Sequence, residues 1–128
     1  MIYTTLSRIQ PKDTFEGRWY NLLRRLGKYK ADDEPLPLAT IVKAVGLDDT
    51  MYYCRNDPDH AGFALSKAEE YLPARAKLFA DAYAKKYDEV SGTPEERDDA
   101  AAGYGCRAWL ALVEAQTEDF LRALEAAA

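Results

Sequence analysis

TPEERDDAAAGYGCRAWLALVEAQTEDFLRALEAAA, residues 93 to 128, is the longest run whose pattern admits one reading. Thr93 is a helix N-cap, Pro94 takes the first helical position, where its missing N–H costs nothing, and Glu96 closes a capping box. From there Trp109, Leu112, Val113, Gln116, Phe120 and Leu124 return to one stripe at helical spacing almost to the end. A helix of about thirty residues, and so about 45 Å, is predicted. Gly103 and Gly105 flank Tyr104 in its first half, and each weakens a helix by up to roughly 1 kcal/mol relative to Ala. A bend or a close helix contact there is the expected reason.

The same period governs what precedes it. Asp13 and Glu16 form a second capping box, and Phe15, Trp19, Leu22, Leu23 and Leu26 recur helically until Gly27 stops them, over about twelve residues. Arg18, Arg24 and Arg25 lie on its other faces and are expected to pair with the acids at 32 to 34. Before it, IYTTLSRIQ reads as a short strand or a helical turn that Pro11 ends. Pro35 and Pro37 forbid regular pairing and force an extended entry into a helix from about Leu38, with Leu38, Ile41, Val42 and Val45 on one face and Gly46 as the cap. A short helix follows from Asp48 to Asn56, then a turn at DPDHAG, 57 to 62. Ser66 and Glu69 suggest another helix start, with a kink or restart at Pro73. A face of Ala76, Phe79, Tyr83 and Val90 then continues to Ser91-Gly92. Five or six helices without a convincing strand pair make the class all-α.

The 128 residues, 48% hydrophobic and 30% charged, suit one helical domain over 1–128. No charged segment followed by an apolar run opens the chain, and nowhere do some eighteen apolar residues run together. A soluble, cytoplasmic, monomeric protein without a membrane contact is the expectation. Cys54 and Cys106 have no second Cys or His at metal-ligand spacing and read as small helix residues, so no metal and no cofactor is expected.

The lone His60, in a polar turn beside Asp57 and Asp59, reads as a solvated turn residue, and no glycine-rich phosphate loop, HExxH or GxSxG occurs. Amphipathic packing accounts for most of the nine tyrosines. No enzyme is expected.

Charge is distributed unevenly. Residues 1–31 hold seven Lys/Arg and two acids, 32–64 hold two against seven, 65–92 balance at five each, and 93–128 hold three against eight, for a net charge of -5. TIVKAVGLDDTMYYCRN has the order of a helix-turn-helix, yet its second helix would begin with Asp48 and Asp49, which repel phosphate. The opposite inference fits better. Duplex DNA presents one negative charge per about 1.7 Å of axis, both strands counted, and carboxylates one helical turn apart lie about 5 to 6 Å from each other. Asp32, Asp33, Glu34, Asp48, Asp49, Asp57 and Asp59, together with Glu95, Glu96, Asp98 and Asp99, are the candidates for a surface that imitates a nucleic-acid backbone.

From Trp19 to Arg55, and especially in LLRRLGKYKADDEPLPLATIVKAVGLDDTMYYCR, the chain resembles small phage and prophage proteins that share an LGK-x-x-ADDEPLP segment, a GLDD-containing helix pair and an alanine-rich helical tail. It also looks like a small acidic anti-CRISPR protein directed against type I-C systems. That resemblance implies binding to the host CRISPR surveillance complex, at its large PAM-reading subunit, and blocking of target DNA without direct contact to nucleic acid.

Overall fold

The computed structural model describes residues 2–12 and 17–127. Among these the fold is all-α: six helices, two of them long, and one pair of two-residue strands. The chain divides into two compact units, Met1–Ala68 with Thr117–Ala128, and Glu69–Gln116.

In the first unit β1 (Tyr3–Thr4) leads into α1 (Leu6–Ile9), so the opening segment is a strand and a helical turn in succession. Thr5 caps α1 by accepting a hydrogen bond from the Arg8 N–H. The capping box of Asp13 and Glu16, with Phe15, lies outside the described residues. Helix α2 (Gly17–Arg25) buries Trp19, Leu22 and Leu23. It stops where Gly27 takes φ +71°, with the Lys28 N–H donating to the Leu23 carbonyl and the Gly27 N–H to that of Arg24. This is the left-handed stop that glycine permits.

Pro35 and Pro37 do not prevent pairing, contrary to expectation. β2 (Leu36–Pro37) runs antiparallel to β1 with Tyr3 opposite Pro37 and Thr4 opposite Leu36. The Leu38 N–H donates to the Ile2 carbonyl, so Pro37 occupies the position between bonded pairs, where an antiparallel ladder needs no N–H. Helix α3 (Leu38–Val45) then buries Leu38, Ile41 and Val42, and Gly46, at φ +91°, divides it from α4 (Leu47–Cys54). Their buried faces meet Leu6, Ile9, Leu22 and Leu23 in the core, with Trp19 edge-on to Tyr53 at 5.6 Å. Phe63 and Phe120, 5.3 Å apart, join the same unit.

Helix α5 (Ala61–Glu89) starts five residues before Ser66, so no capping box forms there. The turn at 57–60 starts it instead, the Ala61 N–H donating to the Asp57 carbonyl. Nor does Pro73 break it. Proline removes one backbone bond, and the buried Tyr71 and Arg75 on either side are both tied to Gln116, which donates to the Tyr71 carbonyl and accepts from Arg75 Nε at 2.6 Å.

Helix α6 (Pro94–Ala126), 33 residues long, is the helix expected from Thr93 onward. The Glu96 N–H donates to Thr93 Oγ1, and the Thr93 hydroxyl in turn donates to the Glu96 carboxylate. In the second unit α5 and α6 form an antiparallel pair. Gly105 is the close contact: a Cβ there would lie 2.8 Å from the Phe79 ring, whereas at Gly103 it would meet nothing within 4 Å.

Candidate functional site

The acidic residues separate into carboxylates already held by the protein and carboxylates left to solvent. Asp57 is the extreme of the first kind, with 0% of its surface exposed. It accepts from Thr4 Oγ1 at 2.6 Å and from the Asp59 N–H at 3.0 Å, and Arg8 Nη2 stands 3.2 Å away. The same guanidinium reaches Asp59 at 2.7 Å. The bond to Asp59 and the charge of Asp57 together hold the Arg8 pKa above its ordinary value. Asp57 therefore presents no charge to a partner; it fastens the turn after α4 to β1 and α1.

His60 belongs to the same knot and is not the solvated turn residue expected. Its side chain is 17% exposed, and Nε2 donates to the Tyr3 carbonyl at 2.8 Å, 3.7 Å from Asp57. A carbonyl only accepts, so that nitrogen carries its proton. Asn56 completes the tie by donating to the Ile9 carbonyl.

The acids at 32 to 34 meet Lys28, not Arg24 or Arg25. Lys28 Nζ binds Asp32 at 2.8 Å and also the Glu34 carboxylate, while Arg24 and Arg25 both donate to Asn21. The glycine stop after α2 turns Lys28 toward the loop. Asp32 Oδ1 also accepts from the Glu34 N–H, and the Asp32 carbonyl accepts from the Ser7 backbone and hydroxyl. The Lys28 bond holds the Asp32 carboxyl below its ordinary pKa, and Asp32 followed by Glu34 raises that of Lys28. Asp33, between them, is exposed and has no ion pair among the described residues.

At the start of α4, Asp48 is exposed and Asp49 is half-buried, 3.6 Å from Arg18 Nε. Both sit in the first helical turn, where the helix dipole favours anions. Tyr52 lies between the guanidinium groups of Arg18 and Arg55, at 4.7 and 4.1 Å. Cys54 is buried, and burial pushes its thiol up to about 12, so it is no nucleophile at neutral pH.

The second unit holds the other group. Glu95, Glu96, Asp98 and Asp99 are all exposed at the start of α6. Asp98 accepts from the Tyr83 hydroxyl, whose pKa this raises. Arg97, the one cation among them, is drawn off the cluster: Nε donates to the Tyr87 carbonyl at 3.0 Å and the guanidinium covers the Tyr87 ring at 4.1 Å. The helix pair adds Asp88 and Glu89, both exposed, from the end of α5. Residues 88 to 99 thus carry six carboxylates and one Arg. Asp88 and Glu89 were not among the residues expected from the sequence; reading Ser91-Gly92-Thr93 as a tight link between antiparallel helices would have added them.

The first unit has an open depression of about 310 Å³ lined by Ile2, Ala39, Lys43, Leu121, Leu124 and Glu125. It offers one ammonium and one carboxylate at an apolar surface. Among the described residues no three His, Cys, Asp or Glu side chains gather to hold a metal ion, and no helix is long and apolar enough to cross a membrane. The chain matches no family model, no curated protein and no solved structure.

Proposed function

We propose that the protein acts by binding: a phage-encoded inhibitor whose acidic surface occupies the basic groove in which a type I CRISPR surveillance complex receives DNA beside its PAM. The phage source rests on the resemblance of the 19 to 55 segment, and the partner on the likeness of the chain to a small acidic anti-CRISPR protein. The observation that supports an acidic interface is the α5–α6 tip, where Asp88, Glu89, Glu95, Glu96, Asp98 and Asp99 stand exposed and Arg97 is turned onto Tyr87. Asp33 extends the exposed set, while Asp32 and Glu34, held by Lys28, and Asp49, beside Arg18, contribute less net charge. Asp57 contributes none to the surface.

Carboxylates that replace phosphates opposite Lys and Arg accelerate encounter, and salt weakens their effect. The alternative, a helix-turn-helix regulator, has the α3–Gly46–α4 element order in its favour and Asp48 and Asp49 against it. One experiment tests both. Tagged protein is used to capture a type I surveillance complex from a bacterial host, at low and at high salt, and duplex DNA is offered in a parallel gel shift. Capture that high salt abolishes, and that Asp88→Lys, Glu89→Lys, Glu95→Lys and Asp99→Lys together abolish in a folded protein, is the expected result. Unchanged capture by that variant overturns the acidic interface, and a DNA shift with no capture of the complex favours the regulator.

A further inference from the structure

In the first unit, the end of α2 sets exposed aromatic rings beside positive charge. Tyr20 lies one turn before Arg24 and is 55% exposed, and Tyr29, just past the Gly27 stop, is 89% exposed. Tyr20, Leu23 and Tyr29 line both of two open depressions, of about 500 and 360 Å³. Arg24 and Lys28 stand at the first and Lys30 at the second, and among the described residues no carboxylate lines either.

Arg24 and Arg25 are both exposed, and their guanidinium groups converge on one neutral oxygen. Arg24 Nη2 and Arg25 Nε donate to Asn21 Oδ1, at 3.1 and 3.4 Å. Each fork gives up one N–H, and no charge is cancelled. Among the described residues neither guanidinium caps the helix, because the Lys28 and Gly27 N–H groups already serve the Leu23 and Arg24 carbonyls. Lys28 is committed to Asp32 and Glu34, so Arg24, Arg25 and the exposed Lys30 carry the charge that a partner meets.

We propose that this surface binds single-stranded nucleic acid, with unpaired bases on the Tyr20 and Tyr29 rings and backbone phosphates at Arg24, Arg25 and Lys30. The site uses none of the carboxylates of the α5–α6 tip and goes beyond the inhibitor reading. The rings select a single strand. An unpaired base offers its face to an aromatic side chain, whereas the bases of a duplex are stacked on one another. An acidic peptide satisfies the cations but leaves both rings without a stacking partner. The two guanidinium forks suit phosphate, whose oxygens accept paired N–H donors. The net charge of -5 opposes any general attraction for a polyanion, so binding comes from this patch and is lost with it. Three cations on a single strand, at roughly 0.7 per phosphate, give a salt slope of about -2.

The test is fluorescence anisotropy of a labelled oligothymidylate of about twelve nucleotides, titrated with the full chain at low salt. Binding with a dissociation constant on the order of ten micromolar is expected, and a duplex of the same length should bind more weakly. Arg24→Gln/Arg25→Gln should weaken binding about tenfold or more and reduce the salt slope by about 1.4, with helix content unchanged by circular dichroism. Lys30→Gln, outside the helix, should act in the same direction. Tyr20→Leu and Tyr29→Leu should each cost about tenfold, while Tyr20→Phe and Tyr29→Phe, which keep the ring, should bind as the wild type does. No binding up to about 500 µM overturns the proposal. So does a duplex bound as tightly as the single strand, or a Phe variant as weak as its Leu counterpart. Displacement of the oligonucleotide by polyglutamate as readily as by unlabelled oligothymidylate also overturns it, and makes an acidic protein segment the occupant.

Discussion

Replacing Asp57 by Ala removes at once the acceptor of Thr4, a charge facing Arg8 and the bond from the Asp59 N–H that shapes the turn into α5. Thr4 is itself buried, so its hydroxyl is left without an acceptor. The expected loss is about 2–4 kcal/mol, read by urea denaturation. Asp59→Ala, at an exposed carboxylate, should cost well under half as much, and equal losses would show that burial is not the cause. Lys28 and Asp32 give a pH signature. The folded pKa of Asp32 lies below its ordinary 3.8, so its contribution is present above that value and is lost as pH falls through the lower folded value. Lys28 is raised above 10.5, so its contribution is present below 10.5 and is lost as pH rises through the higher folded value. Asp32→Asn should therefore flatten the stability profile below about pH 4 and leave its neutral plateau otherwise similar in shape. An unchanged acid limb would mean that the Lys28 contact is not formed in solution.

At the scale of single helices, the two glycines of α6 make opposite predictions from one sequence motif. Gly103 has open space where a Cβ would go, so Gly103→Ala should stabilise by up to about 1 kcal/mol through helix propensity. Gly105 faces the Phe79 ring at 2.8 Å, so Gly105→Leu should destabilise by about 2–3 kcal/mol through overpacking. Thermal melts of both variants check this pair, and a stabilising Gly105→Leu would contradict the packing of α6 on α5. Helix ends were legible in sequence wherever the stop or start is local: Gly27, Gly46 and Thr93 each act through backbone groups a few residues away. Ser66 misled because the 57–60 turn had already started α5 before it. Pro37 misled because its tolerance depends on register against Tyr3, a residue 34 positions earlier.

Taken as a whole, the molecule concentrates its charge. Residues 88 to 99 carry as much net negative charge as the entire chain, -5, while in the first unit Asp32 and Glu34 are held by Lys28, Asp49 by Arg18, and Asp57 and Asp59 by Arg8. If the tip directs association, affinity for a basic partner should fall steeply with ionic strength in the wild type and only weakly in the four-residue Lys variant of the tip. Parallel salt slopes for the two proteins would remove the tip from the interface. The one stripe of Trp109, Leu112 and Gln116 accounted for the helix in sequence, so the exposed Cys106 and Leu110 were not singled out.

The all-α class, the long final helix and the helix stops were determined by the sequence alone, since capping, proline placement and apolar period act over a few residues. Which carboxylates face water was decided only by the tertiary structure. Asp57 is hydrogen-bonded by Thr4, 53 positions away, and faced by the charge of Arg8, and the acidic tip exists because α5 returns beside α6 and Arg97 turns to Tyr87. Charge is written in the chain, but its availability depends on partners that only folding brings within reach.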